Sequence, residues 1–173
     1  MPRSFDLAAE YDGTVEQVHS AFRNQAYWLA RLADSGADDA TLDAMTVGDD
    51  GSIDVTTTQV LRSDRLPAVV TQFHRGDLAI QREEVWSGIG GADGSDGGRA
   101  TATVNGSIHG APVSLTGSAV LAPRPDGGSR LQLKVTVEVR VPLVGGKIEN
   151  FIGSGLVELM IAEQRFTTMW INS

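Results

Sequence analysis

The last thirty or so residues of this 173-residue chain, from Leu143 to the C-terminus, constrain its fold more than any other segment. The segment contains no proline, and its large apolar residues recur at intervals of three, four or seven positions. On a helix with about 3.6 residues per turn, these intervals place the side chains in one stripe. The stripe comprises Ile148, Ile152, Leu156, Leu159, Phe166 and Trp170. The spacing predicts a helix of about 28 residues, near 40 Å long.

Most of the sequence before this helix has the two-residue period of β-strands. The clearest case runs from Arg130 to Val141, where every second residue is leucine or valine and the residues between are polar or charged. This alternation buries one face and leaves the other in water, as in a single curved antiparallel sheet. The long helix is then expected to lie across the sheet or inside its curve. Further strands are predicted at 4–11, 42–47, 53–61, 67–73, 78–89, 100–108 and 113–121.

Two short helices are predicted directly after the first strand. Thr14 and Gln17 have the spacing of a capping box, which opens one helix. Asn24 is suited to capping a second helix, which stops near Ser35. The order is therefore strand, two short helices, about six strands and a long helix. No linker or repeat divides residues 1–173, so we expect a single domain.

The composition narrows the possible functions. The 22 acidic and 14 basic residues give a formal net charge of −8, which argues against a nucleic-acid partner and against electrostatic attachment to an anionic membrane. The chain has no cysteine, which excludes disulfides and thiolate chemistry. The N-terminus lacks the apolar core of a signal peptide, and no apolar run reaches about 18 residues. We therefore expect a cytoplasmic protein without a stable membrane association.

The sequence offers little support for a metal, a cofactor or a nucleophile. His19, His74 and His109 are scattered over different predicted elements and lack the spacing of a zinc helix, so no metal or cofactor is predicted. No Gly-x-Ser-x-Gly elbow is present, and no catalytic residue is assigned. The glycine-rich run 90–98 precedes a strand rather than a lysine-bearing helix, which favours a mobile hairpin tip over a phosphate loop.

The element order and one junction resemble a known superfamily. Residues 141–152, Val-Pro-Leu-Val-Gly-Gly-Lys-Ile-Glu-Asn-Phe-Ile, resemble the strand-to-helix junction of bacterial START-like proteins, the birch-pollen-allergen type also called SRPBCC. Within that superfamily the chain is most similar to an actinobacterial family described only as a domain of unknown function. The resemblance implies an α+β helix-grip fold, in which a curved antiparallel β-sheet wraps around a long C-terminal helix. It also implies a cavity between sheet and helix for lipids, sterols, polyketides or other apolar molecules.

The residues themselves give separate support for a pocket. Small side chains on the inward faces of the later strands would leave unfilled volume against the helix. These small residues are Ala100, Ala102, Gly106, Gly117 and Ala119. We therefore predict a carrier or sensor that binds a hydrophobic small molecule such as a lipid or polyketide; side chains filling this space would contradict that prediction. The predicted ligand-binding residues are Arg82, Trp86, Ile152, Leu156, Leu159, Glu163, Phe166 and Trp170.

The charged positions in the predicted pocket have more than one interpretation. Glu163 falls inside the apolar stripe, where it would orient a ligand, act as an acid or base, or bend out to solvent or an arginine. Arg82 and Glu84 would face inward together if Trp86 does. They would then pair with each other, or Arg82 would pair with Glu163 or hold a ligand carboxylate. A shift of the strand pattern would instead turn Val85 inward.

Two further functions are compatible with these residues. One is a cyclase- or hydratase-type enzyme with Glu163 as acid–base and Arg82 as electrostatic stabiliser. The other is an interaction module without a ligand, in which Val157 and Ile161 on the outer side of the long helix form part of a contact. The protein would be a monomer or a homodimer.

Overall fold

The computed structural model describes residues 2–72, 74–90 and 98–173, which form seven strands, four α-helices and one short 3-10 turn. The strands are β1 Arg3–Tyr11, β2 Asp39–Val47, β3 Ile53–Leu61, β4 Leu78–Trp86, β5 Ala100–Ile108, β6 Val113–Pro123 and β7 Ser129–Val139. The helices are α1 Val15–Phe22, α2 Gln25–Asp34, α3 Ala68–Thr71 and α4 Gly145–Ile171, and the 3-10 turn is Ser63–Arg65.

The strands form one antiparallel sheet in the order β1-β7-β6-β5-β4-β3-β2. Strands β2 to β7 pair with their neighbours in the chain, whereas β1 pairs with β7 and so brings the two ends of the domain together. The register sets Phe5 opposite Val135 and Leu7 opposite Leu133. Because side chains alternate between the faces of a strand, the apolar positions of both strands share the inner face, on which the 27-residue helix α4 packs. This is the predicted helix-grip architecture.

Helices α1 and α2 begin at the predicted caps. Thr14 Oγ1 accepts a hydrogen bond from the backbone N–H of Gln17 at 3.1 Å, and the Gln17 side chain accepts one from the Thr14 N–H at 2.9 Å. Asn24 Oδ1 accepts the N–H of Ala26 at 2.9 Å. These bonds satisfy donors that a helix leaves free in its first turn. The two short helices contact each other, α4 and the sheet.

The larger of two buried clusters is rich in aromatic residues. Its aromatic members are Tyr11, Phe22, Tyr27, Trp28 and Trp86, with Phe166 and Trp170 at its margin. The ring centroids of Phe22 and Trp86 are 5.1 Å apart, and those of Tyr27 and Phe166 are 5.7 Å apart. Rings at these separations add edge and offset contacts to the burial of their large surfaces. This aromatic cluster fixes the C-terminal half of α4 to α2 and β4.

The smaller cluster is aliphatic and lies at the N-terminal end of α4. Its buried members are Val113, Val137, Val139 and Ile148. Gly153 is buried there with the ring of Phe5 against its backbone, whereas Gly155, which the sequence places in the apolar stripe, is exposed. The inner face of α4 is therefore rotated slightly from the predicted stripe, so that Gly153 and not Gly155 allows the close approach to the sheet.

Several predicted strands differ from the structure in their bounds, and one of them is not a strand. The segment after Pro67 forms the single-turn helix α3 instead of a strand. Proline suits a helix entrance because its φ is already helical and it has no N–H to satisfy, which here outweighs the strand preference of Val69 and Val70. Phe73, in the same prediction, lies outside the described residues. The strand predicted to reach Ile89 ends at Trp86.

The predicted glycine-rich hairpin tip, 90–98, falls largely outside the described residues, which omit 91–97. Within the described ranges, no helix combines the length and the apolar character that crossing a membrane requires.

Candidate ligand-binding site

A cavity of about 70 Å³ lies between the inner face of the sheet and the middle of α4. Strands β1 and β4 to β7 contribute to its walls, together with α1, α2 and α4. Its apolar lining residues are Leu7, Phe22, Trp86, Val104, Ala119, Leu131, Leu133, Leu156, Leu159 and Met160. Its polar lining residues are Tyr11, Arg31, Arg82, Glu84, Glu163 and Thr167. The cavity thus combines a mostly apolar wall with a small, strongly polar region.

Four of the polar residues form one ion-paired group, the arginine–glutamate cluster, made of Arg31, Arg82, Glu84 and Glu163. Arg31 Nη2 lies 2.6 Å from Glu163 Oε1, and Arg82 Nη2 donates a hydrogen bond to Glu163 Oε2 at 2.8 Å. Glu84 Oε2 is 3.4 Å from Arg82 Nε and 4.0 Å from Arg31 Nη2. Each carboxylate oxygen of Glu163 therefore faces its own arginine, which is a strong, charge-assisted arrangement.

Strand β4 supplies two members of this cluster through its alternation. Arg82 and Glu84 point to the inner face, in step with Trp86, whereas Val85 points outward and is 39% exposed. The strand pattern is therefore the unshifted one. Of the pairings that the sequence leaves open, Arg82 makes two, with Glu84 and with Glu163.

Glu163 is ionised at neutral pH. Burial disfavours the charged form and by itself raises the pKa of a carboxyl group. At Glu163 the charges of Arg31 and Arg82 and their hydrogen bonds outweigh burial, and they lower the pKa from 4.5 to about 2. The side chain is thus a carboxylate with both oxygens paired to arginines. Of the roles that the sequence leaves open for Glu163, this is pairing with an arginine.

Sequence reasoning misses Arg31, which is only 8% exposed. Its guanidinium carbon lies 4.6 Å from the centroid of the Trp28 ring, and its Nη1 donates to the Tyr27 hydroxyl at 3.3 Å. Positions 27, 28, 31 and 32 follow helical spacing and are all buried, so an arginine stands on the buried face of α2. Leu29, an apolar residue of the same predicted helix, is 51% exposed. The helical spacing indicates that position 31 is buried, but a search for apolar residues alone does not find it.

Two hydroxyl groups lie beside the arginine–glutamate cluster. Thr167 Oγ1 donates to the carbonyl oxygen of Glu163 at 2.7 Å and lies 2.6 Å from the Tyr27 hydroxyl, so it joins α4 to α2. The ring of Tyr11 lines the cavity, and among the described residues no hydrogen-bond partner reaches its hydroxyl. Tyr11 is therefore an uncommitted polar group of the cavity, and Arg82 Nε, which is buried without a hydrogen bond, is another.

The cavity is smaller than the pocket predicted from the small strand residues. A volume of about 70 Å³ accommodates a few water molecules, whereas ligand pockets measure roughly 300–1,000 Å³. Ala100, Ala102 and Ala119 are buried as expected, but they belong to the aromatic cluster with Phe22 and Trp86. Their small size makes room for aromatic rings, and these rings occupy part of the predicted space. A lipid-sized ligand requires α4 to move away from the sheet.

Five of the eight predicted ligand-binding residues line the cavity. These are Arg82, Trp86, Leu156, Leu159 and Glu163. The other three pack elsewhere, because Ile152 joins the aliphatic cluster and Phe166 and Trp170 pack on Tyr27. Contact of any of the eight with a ligand stays a prediction.

A second recess, of about 30 Å³, lies on the other side of the arginine–glutamate cluster, between α2, β3 and α4. It shares Arg31, Arg82, Leu159 and Glu163 with the larger cavity. Its remaining lining residues are Trp28, Leu32, Asp34, Ser35, Gln59, Ala162 and Phe166. The cluster thus forms the partition between the two spaces.

A second buried carboxylate on α4, Glu149, is also missed by sequence reasoning. Its side chain is 0% exposed, its Oε2 accepts the N–H of Val139 at 2.9 Å, and its Oε1 lies 3.7 Å from Arg3 Nε. It precedes Leu156 by seven residues and Glu163 by fourteen. These intervals put Glu149 on the same helix face as Leu156 and Glu163. The sequence therefore contains the spacing from which its burial could have been predicted.

Comparison with known proteins gives a family and close relatives. The family described as "Protein of unknown function (DUF2505)" matches residues 6–171. A protein of Mycobacterium tuberculosis strain H37Rv, "Uncharacterized protein Rv0481c", is 52% identical over 178 aligned positions. That alignment covers 100% of this chain and 99% of the relative.

Solved structures share the architecture at low sequence identity. ZhuI aromatase/cyclase from a Streptomyces species has a TM-score of 0.62 and 6% identity, covering 99% of this chain and 94% of that one. TTHA0849 from Thermus thermophilus has a TM-score of 0.60 and 13% identity, covering 95% of this chain and 97% of that one. These matches show the fold, and they confirm the helix-grip arrangement inferred from the element order.

Proposed function

This chain belongs to the DUF2505 family and has the START-like helix-grip fold, and we propose that it binds an apolar small molecule between the sheet and α4, as a carrier or sensor. The observation that carries this proposal is the cavity beneath the middle of α4. Its wall is formed by leucine, valine and aromatic side chains, and charged groups are confined to one cluster. Mostly apolar concavities with a few convergent polar groups are the usual form of small-molecule sites.

The packing of α4 supports a cavity that can enlarge. The helix is anchored near its start by Ile148, Glu149 and Gly153 and near its end by Thr167, all of which are buried. Between Gly153 and Thr167 every residue of the helix is half-buried or exposed. The middle of the helix therefore has no fully buried side chain, and its main tie to α2 and the sheet is the pair of Glu163 bonds to Arg31 and Arg82, which must break if it is lifted. The lightly packed middle is the part that covers the cavity.

The geometry favours binding over acid–base catalysis by Glu163. A carboxylate whose pKa is about 2 has no proton to donate at neutral pH and is a weak base, whereas an efficient general acid or base has a pKa near the working pH. Both of its oxygens also face arginines. Glu163 is thus better suited to holding Arg31 and Arg82 in place than to proton transfer.

The proposal is tested by native mass spectrometry of the purified protein, followed by organic extraction and mass analysis of any bound molecule. We expect a retained apolar molecule. A matched pair of variants then locates it: Leu156→Trp places a large ring in the cavity wall, and Val157→Trp places the same ring next to it on a side chain that is 44% exposed.

We expect Leu156→Trp to lose the bound molecule and Val157→Trp to retain it. Equal retention by both variants would show that the molecule binds elsewhere. If the purified protein carries nothing and gains no thermal stability from added medium-chain alcohols, the binding proposal fails. The interaction module, with the exposed Val157 and Ile161 as its contact, would then be the better account.

A further inference from the structure

We propose that this site selects uncharged ligands and rejects carboxylates, because Glu163 already occupies the place between Arg31 and Arg82 that a ligand carboxylate would take. The inference rests on the proposed binding function and names the class of ligand. That class is an apolar molecule whose polar group is a neutral oxygen, such as a hydroxyl or a carbonyl.

The first step concerns the arginines, which are the groups that proteins use to hold carboxylates. Arg31 and Arg82 each direct a terminal nitrogen at Glu163, at 2.6 and 2.8 Å. The other terminal nitrogen of Arg31 donates to Tyr27. Nε of Arg82 lies 3.4 Å from Glu84 Oε2, an ion pair without a hydrogen bond. A ligand carboxylate would have to displace Glu163, and the displaced side chain would then be a buried anion without its partners.

The second step concerns net charge. The cluster holds two arginines and two glutamates, so its formal charge is zero, and the other lining residues of the cavity carry no charge. Glu84 and Glu163 are only 13% and 23% exposed, so water screens them weakly. A ligand carboxylate would add a third anion to this region, and burying an unpaired charge is costly.

The third step concerns a neutral polar group that remains available. The Tyr11 hydroxyl has no hydrogen-bond partner among the described residues, and Tyr11 lines the cavity. Burial raises the pKa of Tyr11, so the hydroxyl keeps its proton at physiological pH. A protonated hydroxyl can donate to a neutral oxygen or accept from a ligand hydroxyl. The available chemistry therefore suits an alcohol, ketone or ester rather than an acid.

The test uses two probes of equal chain length, 1-decanol and decanoate, at pH 8, with binding followed by thermal shift and tryptophan fluorescence. We expect the wild type to bind decanol at least about tenfold more tightly than decanoate. Glu163→Gln removes the internal anion and leaves Arg31 and Arg82 free to pair with the ligand. The affinity of this variant for decanoate should therefore rise at least about tenfold. Glu158→Gln, an exposed position on the same helix, is the matched control and should keep the wild-type order.

Two further variants keep the inference testable if Glu163→Gln does not fold. Glu84→Gln leaves both bonds of Glu163 intact but makes the cluster net positive, and we expect a several-fold gain for decanoate. Tyr11→Phe removes only a hydroxyl, and we expect it to weaken decanol binding several-fold while leaving the weak decanoate binding unchanged.

The outcomes separate this inference from the proposed function. Decanoate binding to the wild type as tightly as decanol overturns the inference and leaves the binding function in place. A wild type that responds to neither probe contradicts the binding function. In that case, decanoate binding by Glu163→Gln or Glu84→Gln still supports the assignment of the arginine pair. Failure of both variants to gain decanoate affinity overturns the inference.

Discussion

Helix α4 carries two carboxylates on its inner face, and they are held in different ways. Glu149 is fully buried, and it accepts the backbone N–H of Val139 while Arg3 lies beside it. Glu163, four turns later, is 23% exposed and is bonded to arginines of α2 and β4. Glu149 therefore combines a backbone donor ten residues away with Arg3 beside it, whereas each oxygen of Glu163 has an arginine from a different element.

The difference separates an anchor from a candidate site. Glu149 satisfies a donor at the end of β7 and so secures the turn that leads into α4. Glu163 draws Arg31 and Arg82 to the boundary of a cavity, where their charges can act on a ligand. A buried glutamate on a helix face is thus uninformative by itself. The origin of its partners and the presence of a space beside it decide which role it has.

The largest effect on stability is expected from Glu163→Ala. The substitution leaves Arg31 and Arg82 buried without their principal anion, and breaking a buried ion pair costs about 3–5 kcal/mol. Urea unfolding measures the change in the free energy of unfolding. Glu158→Ala, on the exposed side of the same helix, should change it by less than about 0.5 kcal/mol. A Glu163→Ala cost no larger than that of the control would show that the cluster contributes little to stability.

The second prediction concerns the stability of the folded protein at low pH. The pKa of Glu163 is about 2 in the folded protein and 4.5 as its ordinary value, a difference that corresponds to roughly 3 kcal/mol. Because the folded pKa is the lower one, this stabilisation is complete above pH 4.5 and is lost as the pH falls toward about 2. The free-energy gap between wild type and Glu163→Gln should therefore be constant above about pH 5 and narrow below it. A gap that stays constant down to pH 3 would contradict this linkage.

The smallest effect of the three is expected from Glu149→Ala, and it sharpens the comparison. The variant leaves the N–H of Val139 without its acceptor, and an unsatisfied buried donor costs about 1–3 kcal/mol. Affinity for 1-decanol, measured by tryptophan fluorescence, should not change, because Glu149 does not line the cavity. A loss of decanol binding beyond about twofold would mean that the anchor and the site are coupled through α4.

The comparison also shows which residues of the site can be identified from the sequence. It identifies Glu163 because a charged residue interrupts an apolar stripe, and it identifies Arg82 and Glu84 because they share a strand face with Trp86. It misses Arg31, Tyr11 and Glu149. Arg31 and Glu149 lie at buried positions of α2 and α4. A helical pattern based on apolar residues alone does not include them, because both side chains are charged.

The chain by itself determined the order of elements apart from α3, the caps at Thr14 and Asn24, and the inner faces of β4 and β7. These features depend on hydrogen bonds and side-chain periods within a few residues, and the resemblance to START-like proteins follows from the same order. Only the tertiary structure decided the partners of Glu163 and the volume of the cavity. Both depend on how α2 and its aromatic rings pack against the curved sheet. That packing brings together residues that are far apart in the sequence.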